Sequence, residues 1–258
     1  MAGGWQLWKR VVRTPIVVPL FNGFQFRAYP DCQASSAVFY TRIPNFRCLS
    51  FLRRHIHGGI LLDIGANVGL ISLLLADKIQ GAILFEPNPV AAARARENLA
   101  LNHLSFEVQE VALSDETGVV EIENAGGVDS CNRTVVGFTT SVPTISVPRD
   151  TLDNFLAARG ALPAPVSAIK IDVEGHENSV LRGMLGFLRA QRPRLVMFEY
   201  LQRTNLTETI ALFSRARYRI IELKTGQPRW ATPQVSPLQD LFACPEELGS
   251  ELVDGSPR

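Results

Sequence analysis

From residue 58 onward, short apolar runs alternate with longer stripes of helical period. Ile60 to Ile64 is apolar except for Asp63 and predicts a buried strand. Gly65 to Gly69 predicts a tight turn, and Leu70-Ile-Ser-Leu73 an apolar helix within about residues 68 to 79. Ala82 to Phe85 predicts a second strand. Asn88 followed by Pro89 predicts an N-cap and first helical residue, because the Asn side chain satisfies free amides and proline has no amide to lose. That helix should reach Leu101, and a third strand should cover Ser105 to Leu113.

Between residues 118 and 148 the rhythm breaks. Val119 to Glu123 alternates like a strand and Thr144 to Val147 is again extended, so a β insertion is expected, with a mobile loop around Val128 to Arg133. A helix follows over Asp150 to Leu156, capped by Asp150 or Thr151 and stopped by Gly160. The pattern then predicts strand four (Ala168 to Val173), a helix (Asn178 to Gln191), strand five (Arg194 to Tyr200) and a helix (Glu208 to Arg215). Strand six (Tyr218 to Leu223) and strand seven (Gln239 to Ala243) are joined only by the turn-rich Thr225 to Leu238, which predicts an antiparallel pair at a sheet edge. The fold class is therefore α/β and Rossmann-like. A seven-stranded, mostly parallel sheet should carry helices on both faces and a β insertion between strands three and four. Residues 1 to 57 are expected as a lead-in, with a strand in Pro15 to Phe26 and a helix over Phe46 to His57, packed on a domain of residues 58 to 258.

Composition narrows the partners. A net charge of +1 over 258 residues gives no general field for nucleic acid. The clusters at Lys9-Arg10-Arg13 and Arg53-Arg54 read as solvated faces. Four scattered cysteines with no C-x-x-C point away from zinc and toward a reducing cytoplasm. No apolar run approaches a membrane-spanning length, although Trp5 and Trp8 beside those bases leave a weak peripheral membrane contact open.

The chemistry lies in two constellations. Gly65 to Gly69 followed by Glu86, 21 residues after Gly65, is the strand, glycine turn, helix, strand and acid of an adenosine-binding βαβ unit. Glu86 at the end of strand two suits a free ribose diol and repels a 2′-phosphate. A dinucleotide needs G-x-G-x-x-G for its pyrophosphate. Here Asn67 holds the middle glycine position and Asp63 would repel an anion, so a sulfonium and amine fit better than a nicotinamide dinucleotide. S-adenosylmethionine is the expected cofactor, with a nicotinamide oxidoreductase and a non-catalytic cofactor-binding scaffold as alternatives. The second constellation, Lys170-Ile-Asp-Val-Glu-Gly-His-Glu177, leaves strand four on the crevice side of the sheet. Asp172 is the best-placed base, Glu174 and His176 are further catalytic candidates, and Glu199 ends strand five in the same crevice. No ligand set for a metal is evident from spacing, so metal-independent chemistry is expected.

Leu61-Leu-Asp-Ile-Gly-Ala-Asn-Val-Gly69, Phe85-Glu-Pro-Asn-Pro89, Glu97-Asn-Leu-Ala-Leu-Asn102, Val111-Ala-Leu-Ser-Asp115, Thr151-Leu-Asp153 and Ile169-Lys-Ile-Asp-Val-Glu-Gly-His-Glu177 together resemble the FkbM family. The resemblance covers about residues 58 to 200. It implies an S-adenosylmethionine-dependent O-methyltransferase acting on a hydroxyl of a small metabolite, sugar or glycolipid. It also implies that Asp63, Gly65, Ala66, Asn67 and Gly69 wrap the methionine part. Glu86 and Pro87 would hold the ribose, Glu110, Val111 and Ala112 would face the adenine, and Asp172 would lie beside the transferred methyl. Where the family often has an acid before the helix leading into strand one, this chain has Phe46-Arg47.

Overall fold

The computed structural model describes residues 2–41, 46–123 and 143–254. The lead-in holds α1 (Ala2–Val11), a hairpin of β1 (Ile16–Pro19) and β2 (Gln25–Ala28), α2 (Gln33–Thr41) and α3 (Phe46–His55). Next come β3 (Ile60–Ile64), α4 (Leu70–Leu75), β4 (Gly81–Phe85), α5 (Pro89–Leu101), β5 (Glu107–Gln109) and β6 (Ala112–Leu113). The insertion contributes β7 (Gly118–Glu123) and β8 (Thr144–Asp150), followed by α6 (Leu152–Arg159), β9 (Val166–Ile171), α7 (Glu177–Arg182) and α8 (Leu185–Gln191). The chain continues through β10 (Leu195–Tyr200), α9 (Leu206–Arg215), β11 (Tyr218–Lys224), β12 (Gln227–Trp230) and β13 (Gln239–Pro245).

The main sheet runs β12-β11-β13-β10-β9-β3-β4-β5. From β10 to β5 all neighbours are parallel, whereas β13 is antiparallel to both β10 and β11. The strand order turns back at β3, which is where an open α/β sheet forms its crevice. Alternate side chains of β3 enter different cores. Leu61 packs with Phe26, Leu52 and Leu73, while Ile60, Leu62 and Ile64 pack with Val180, Leu188 and Phe213. With both faces covered, the strand must be apolar throughout, which is why its one acid, Asp63, stands out.

The lead-in is sewn to the domain by two asparagines, Asn98 of α5 and Asn102 at its C-terminal cap. Asn98 accepts from Arg27 N at 2.8 Å and donates to Val68 O at 3.0 Å, and Asn102 exchanges two hydrogen bonds with Gln25. These amides serve the open edge of β2 as a neighbouring strand would.

All seven expected strands are found in the main sheet, and the structure adds an eighth. The linker after β11 folds back as β12, whose Gln227 to Trp230 pair with Lys224 to Ile221. Strand three divides after Gln109. β5 stays in the main sheet, while β6 joins β8 and β7 in a separate three-stranded sheet. The predicted helix over Asn178 to Gln191 is two helices. A Cβ on Gly183 would stand 1.8 Å from Ser114 O, so β6 presses into the break. In the lead-in, the single expected strand is a hairpin, and α1 and α2 are additional to the expected elements. The loop expected at Val128 to Arg133 lies outside the described residues.

Candidate active site

The glycine turn joins β3 to α4 with three left-handed residues, Gly65 (φ 73°), Asn67 (φ 50°) and Gly69 (φ 78°). A Cβ on Gly65 would sit 1.9 Å from Asp172 O, so the end of β9 passes directly against the turn. Glu86, at the end of β4 and 2% exposed, faces it from the other side. Its carboxylate accepts from Asn67 N at 2.7 Å and from Asn88 N at 2.9 Å. Burial pushes this carboxyl up to about 7, and the two amides offset only part of that.

Glu86 N donates to Gln109 O at 3.0 Å, which brings the segment from Glu110 to Ala112 alongside. Val111 and Ala112 are half-buried there, as is Pro87. Glu110 is exposed and ion-paired with Arg96 at 2.5 Å.

Lys170, which opens the second block, pairs with Asp172 as its place two residues before that acid allows, and it is also the hub of the site. It is 4% exposed, and its Nζ donates to Gly65 O at 2.5 Å. The same nitrogen lies 3.5 Å from Asp63 Oδ1 and 3.4 Å from Asp172 Oδ2. Burial alone would depress its pKa, yet Asp172, Asp63 and Glu86 together hold it above its ordinary value. Asp63, fully buried, also accepts from Ser72 Oγ at 2.7 Å. One cation thus joins both sides of the turn. Its signal in the sequence was a lysine two residues before Asp172 in an apolar strand, and the strand register then sets it opposite Asp63.

Asp172, Glu174 and Glu199 each bring a carboxylate oxygen within 4.8 Å of the others. Glu199 is pushed up to about 8, first by burial and then by Asp172, Glu174 and Glu177. Asp240 of β13 pairs in register with Glu199 and is pushed up to about 7, by burial and then Asp172. Only the antiparallel return of β13 brings Asp240 here, and no motif marked it.

The rest of the block divides by role. Glu177 is fully buried and accepts from Gly175 N at 2.9 Å and Val173 N at 3.3 Å, so it holds the turn together. Glu174, at φ 55°, is tied through its carbonyl and carboxylate to Arg203. His176 shares a 3.0 Å hydrogen bond with Ser114 Oγ, beside β6, and is not among the three clustered carboxylates. Burial depresses its pKa, with Asp115 opposing.

The strand order, the glycine turn and the acid that closes it define a Rossmann-like fold of the class I methyltransferase type. The methyltransferase FkbM domain matches residues 63–220, and the chain belongs to that family. It is 28% identical over 132 residues to the hexuronic acid methyltransferase AglP of Haloferax volcanii, covering 51% of this chain and 52% of the relative. It is 30% identical over 159 residues to the 2-O-methyltransferase NoeI of Sinorhizobium fredii, covering 55% and 63%. The chain thus spans between half and two thirds of these two relatives. Among solved structures, an S-adenosylmethionine-dependent O-methyltransferase from Thermotoga maritima matches with a TM-score of 0.45 at 12% identity, covering 89% of this chain and 77% of that one.

Proposed function

We propose that the chain is an S-adenosylmethionine-dependent O-methyltransferase acting on a hydroxyl of a small metabolite, sugar or glycolipid. The observation that carries this reading is Glu86, a buried carboxylate fastened by two backbone amides to the turn that begins the first helix. It stands at the end of β4 against the glycine turn, the place where an adenosine-binding βαβ unit holds the ribose hydroxyls. The family supports methyl transfer, and the relatives' names support oxygen as the acceptor atom.

The residues fit the cofactor. The turn offers backbone without side-chain bulk, and Asp63 and Asp172 give the site negative potential suited to an ammonium and a sulfonium. When bound, the cofactor supplies a methyl group on a positively charged sulfur. In this reading Asp172 orients the acceptor hydroxyl and takes its proton as the oxygen–carbon bond forms and the carbon–sulfur bond breaks. Lys170 holds one face of that carboxylate at 3.4 Å, while the Asp172 side chain remains 45% exposed. Much of the rate then comes from alignment of the two reacting atoms.

Calorimetry with S-adenosylhomocysteine, followed by mass spectrometry of a hydroxyl-bearing library incubated with methyl-labelled cofactor, tests the reading. Binding together with a labelled ether product is expected. Binding of a nicotinamide dinucleotide without adenosylhomocysteine binding would overturn it, and tight binding without any product would leave a cofactor-binding scaffold.

A further inference from the structure

One face of α3 is used by neither the sheet nor the glycine turn. Phe46 at its start is 60% exposed, and Phe21, between β1 and β2, is 50% exposed. Both line a cavity of about 350 Å³ with Arg53, Arg54 and Lys78. Around the helix, a cavity of about 700 Å³ is lined by Phe46, Arg47, Arg54 and the β11–β12 turn. Phe46, Ser50 and Arg54 belong to both, so the two form one groove wrapped around α3.

The groove is positively charged. Arg53 is neutralised by Asp77 through two hydrogen bonds of 2.6 Å, and Glu251, on the far wall, is taken by Arg194. Arg47, Arg54 and Lys78 enter no ion pair among the described residues. Phe46 stands on the ridge between the two hollows beside these uncompensated cations, and the half-exposed Phe21 lies under the Arg53 guanidinium at 4.9 Å, a pattern that a solvated face of charges alone does not give.

We propose that this groove docks the protein on an anionic phospholipid surface. Arg47, Arg54 and Lys78 meet the phosphates, and Phe21 and Phe46 enter the acyl boundary. Two half-exposed phenylalanines have no use in a free-phosphate site, and cations spread around a helix match a layer of headgroups better than one anion. The membrane contact expected at Trp5 and Trp8 moves here. Trp5 is 2% exposed and stacked on Phe39 with ring centres 4.1 Å apart, and the indole of Trp8 is bound to Thr14 O at 2.9 Å. Docking on α3 does not depend on methyl transfer.

Co-sedimentation of the full chain with phosphatidylcholine vesicles, with and without phosphatidylserine, tests the proposal. Binding is expected only with phosphatidylserine, and it should weaken as salt rises. Arg47→Gln, Arg54→Gln and Lys78→Gln should each reduce partitioning about fivefold, and Phe46→Ser about tenfold. Arg189→Gln on α8 should leave it unchanged, and every variant should melt as wild type does. Equal binding to neutral vesicles, wild-type partitioning of the triple glutamine variant, or displacement by inorganic phosphate at constant ionic strength would each overturn it.

Discussion

Glu86 is desolvated by folding before any ligand arrives, and this has a consequence for pH. A ribose diol donates two hydrogen bonds and therefore favours the ionised carboxylate, whereas the free protein holds this group at about 7. Below that pH, binding must release a proton. Adenosylhomocysteine affinity should then fall by up to about tenfold per pH unit, and calorimetry in buffers of different ionisation enthalpy should register the released proton. Glu86→Ala should weaken binding about ten- to a hundredfold, the equivalent of a charge-assisted interaction of roughly 1.5–3 kcal/mol, and should abolish that pH dependence. At Asp172 the separation is between rate and affinity. Asp172→Asn should lower the single-turnover rate about 10²–10⁴-fold, with at most about a tenfold change in cofactor affinity. His176→Gln should cost less, because His176 is engaged by Ser114 beside β6. Parallel losses of rate and affinity in Asp172→Asn would make it a cofactor ligand instead of a base.

At the scale of elements, two of the motif blocks turn out to be joints. Asn98 and Asn102 hold the lead-in hairpin, and Asp153 of α6 caps a different helix, accepting from Gly186 N at 2.9 Å and Phe187 N at 2.7 Å at the start of α8. The break between α7 and α8, forced by Ser114 against Gly183, exposes amides that Asp153 satisfies. Asp153→Ala should therefore cost about 1–2 kcal/mol of stability in urea denaturation, although α6 itself is capped by Thr151 at 3.0 Å and stays intact. An unchanged midpoint would show that water caps α8 equally well.

Across the whole molecule, the crevice gathers acids that folding desolvates. Glu86, Glu177, Glu199 and Asp240 all have raised pKa values. In the window between the unfolded carboxylate pKa and about 8, the native state binds more of their protons than the unfolded chain does. Stability from these groups is thus present at the acidic end and is lost as pH rises. His55 and His176, both depressed, act in the opposite sense below about 6.5. With four acids against two histidines, the melting temperature should be higher near pH 6 than above pH 8. Glu199→Gln with Asp240→Asn should flatten the difference, and a profile unaffected by both changes would remove the crevice as its source. A divalent ion at Asp172, Glu174 and Glu199 is the competing use of the same acids. Lys170 and Arg203 already supply cations to two of them, so turnover should survive a chelator. Loss on chelation and recovery with Mg²⁺ would reassign these carboxylates as ligands.

Local periodicity was enough to determine the alternating strands and helices, the N-cap at Asn88, the left-handed turn at Asn67 and the acid that closes it, and it narrowed the cap of α6 to Asp150 or Thr151. Each of these is set by a residue and its near neighbours. The antiparallel pair at the sheet edge was also legible, because the linker between strands six and seven is turn-rich and carries no helical period for a crossover. What remained for the tertiary structure were features that depend on distant chain segments meeting. The eighth strand, β12, needed the edge of β11 to pair against, and the split of α7 from α8 needed Ser114 to arrive from β6. Lys170 became a hub only when strand pairing set it beside Asp63 and the Gly65 carbonyl, and Asp240 entered the crevice only by the antiparallel return of β13. The groove on α3 formed because the lead-in and the β11–β12 turn close on one helix from opposite sides. Burial and charge proximity are properties of the packed chain, so desolvated acids and unpaired bases appear only once it is folded.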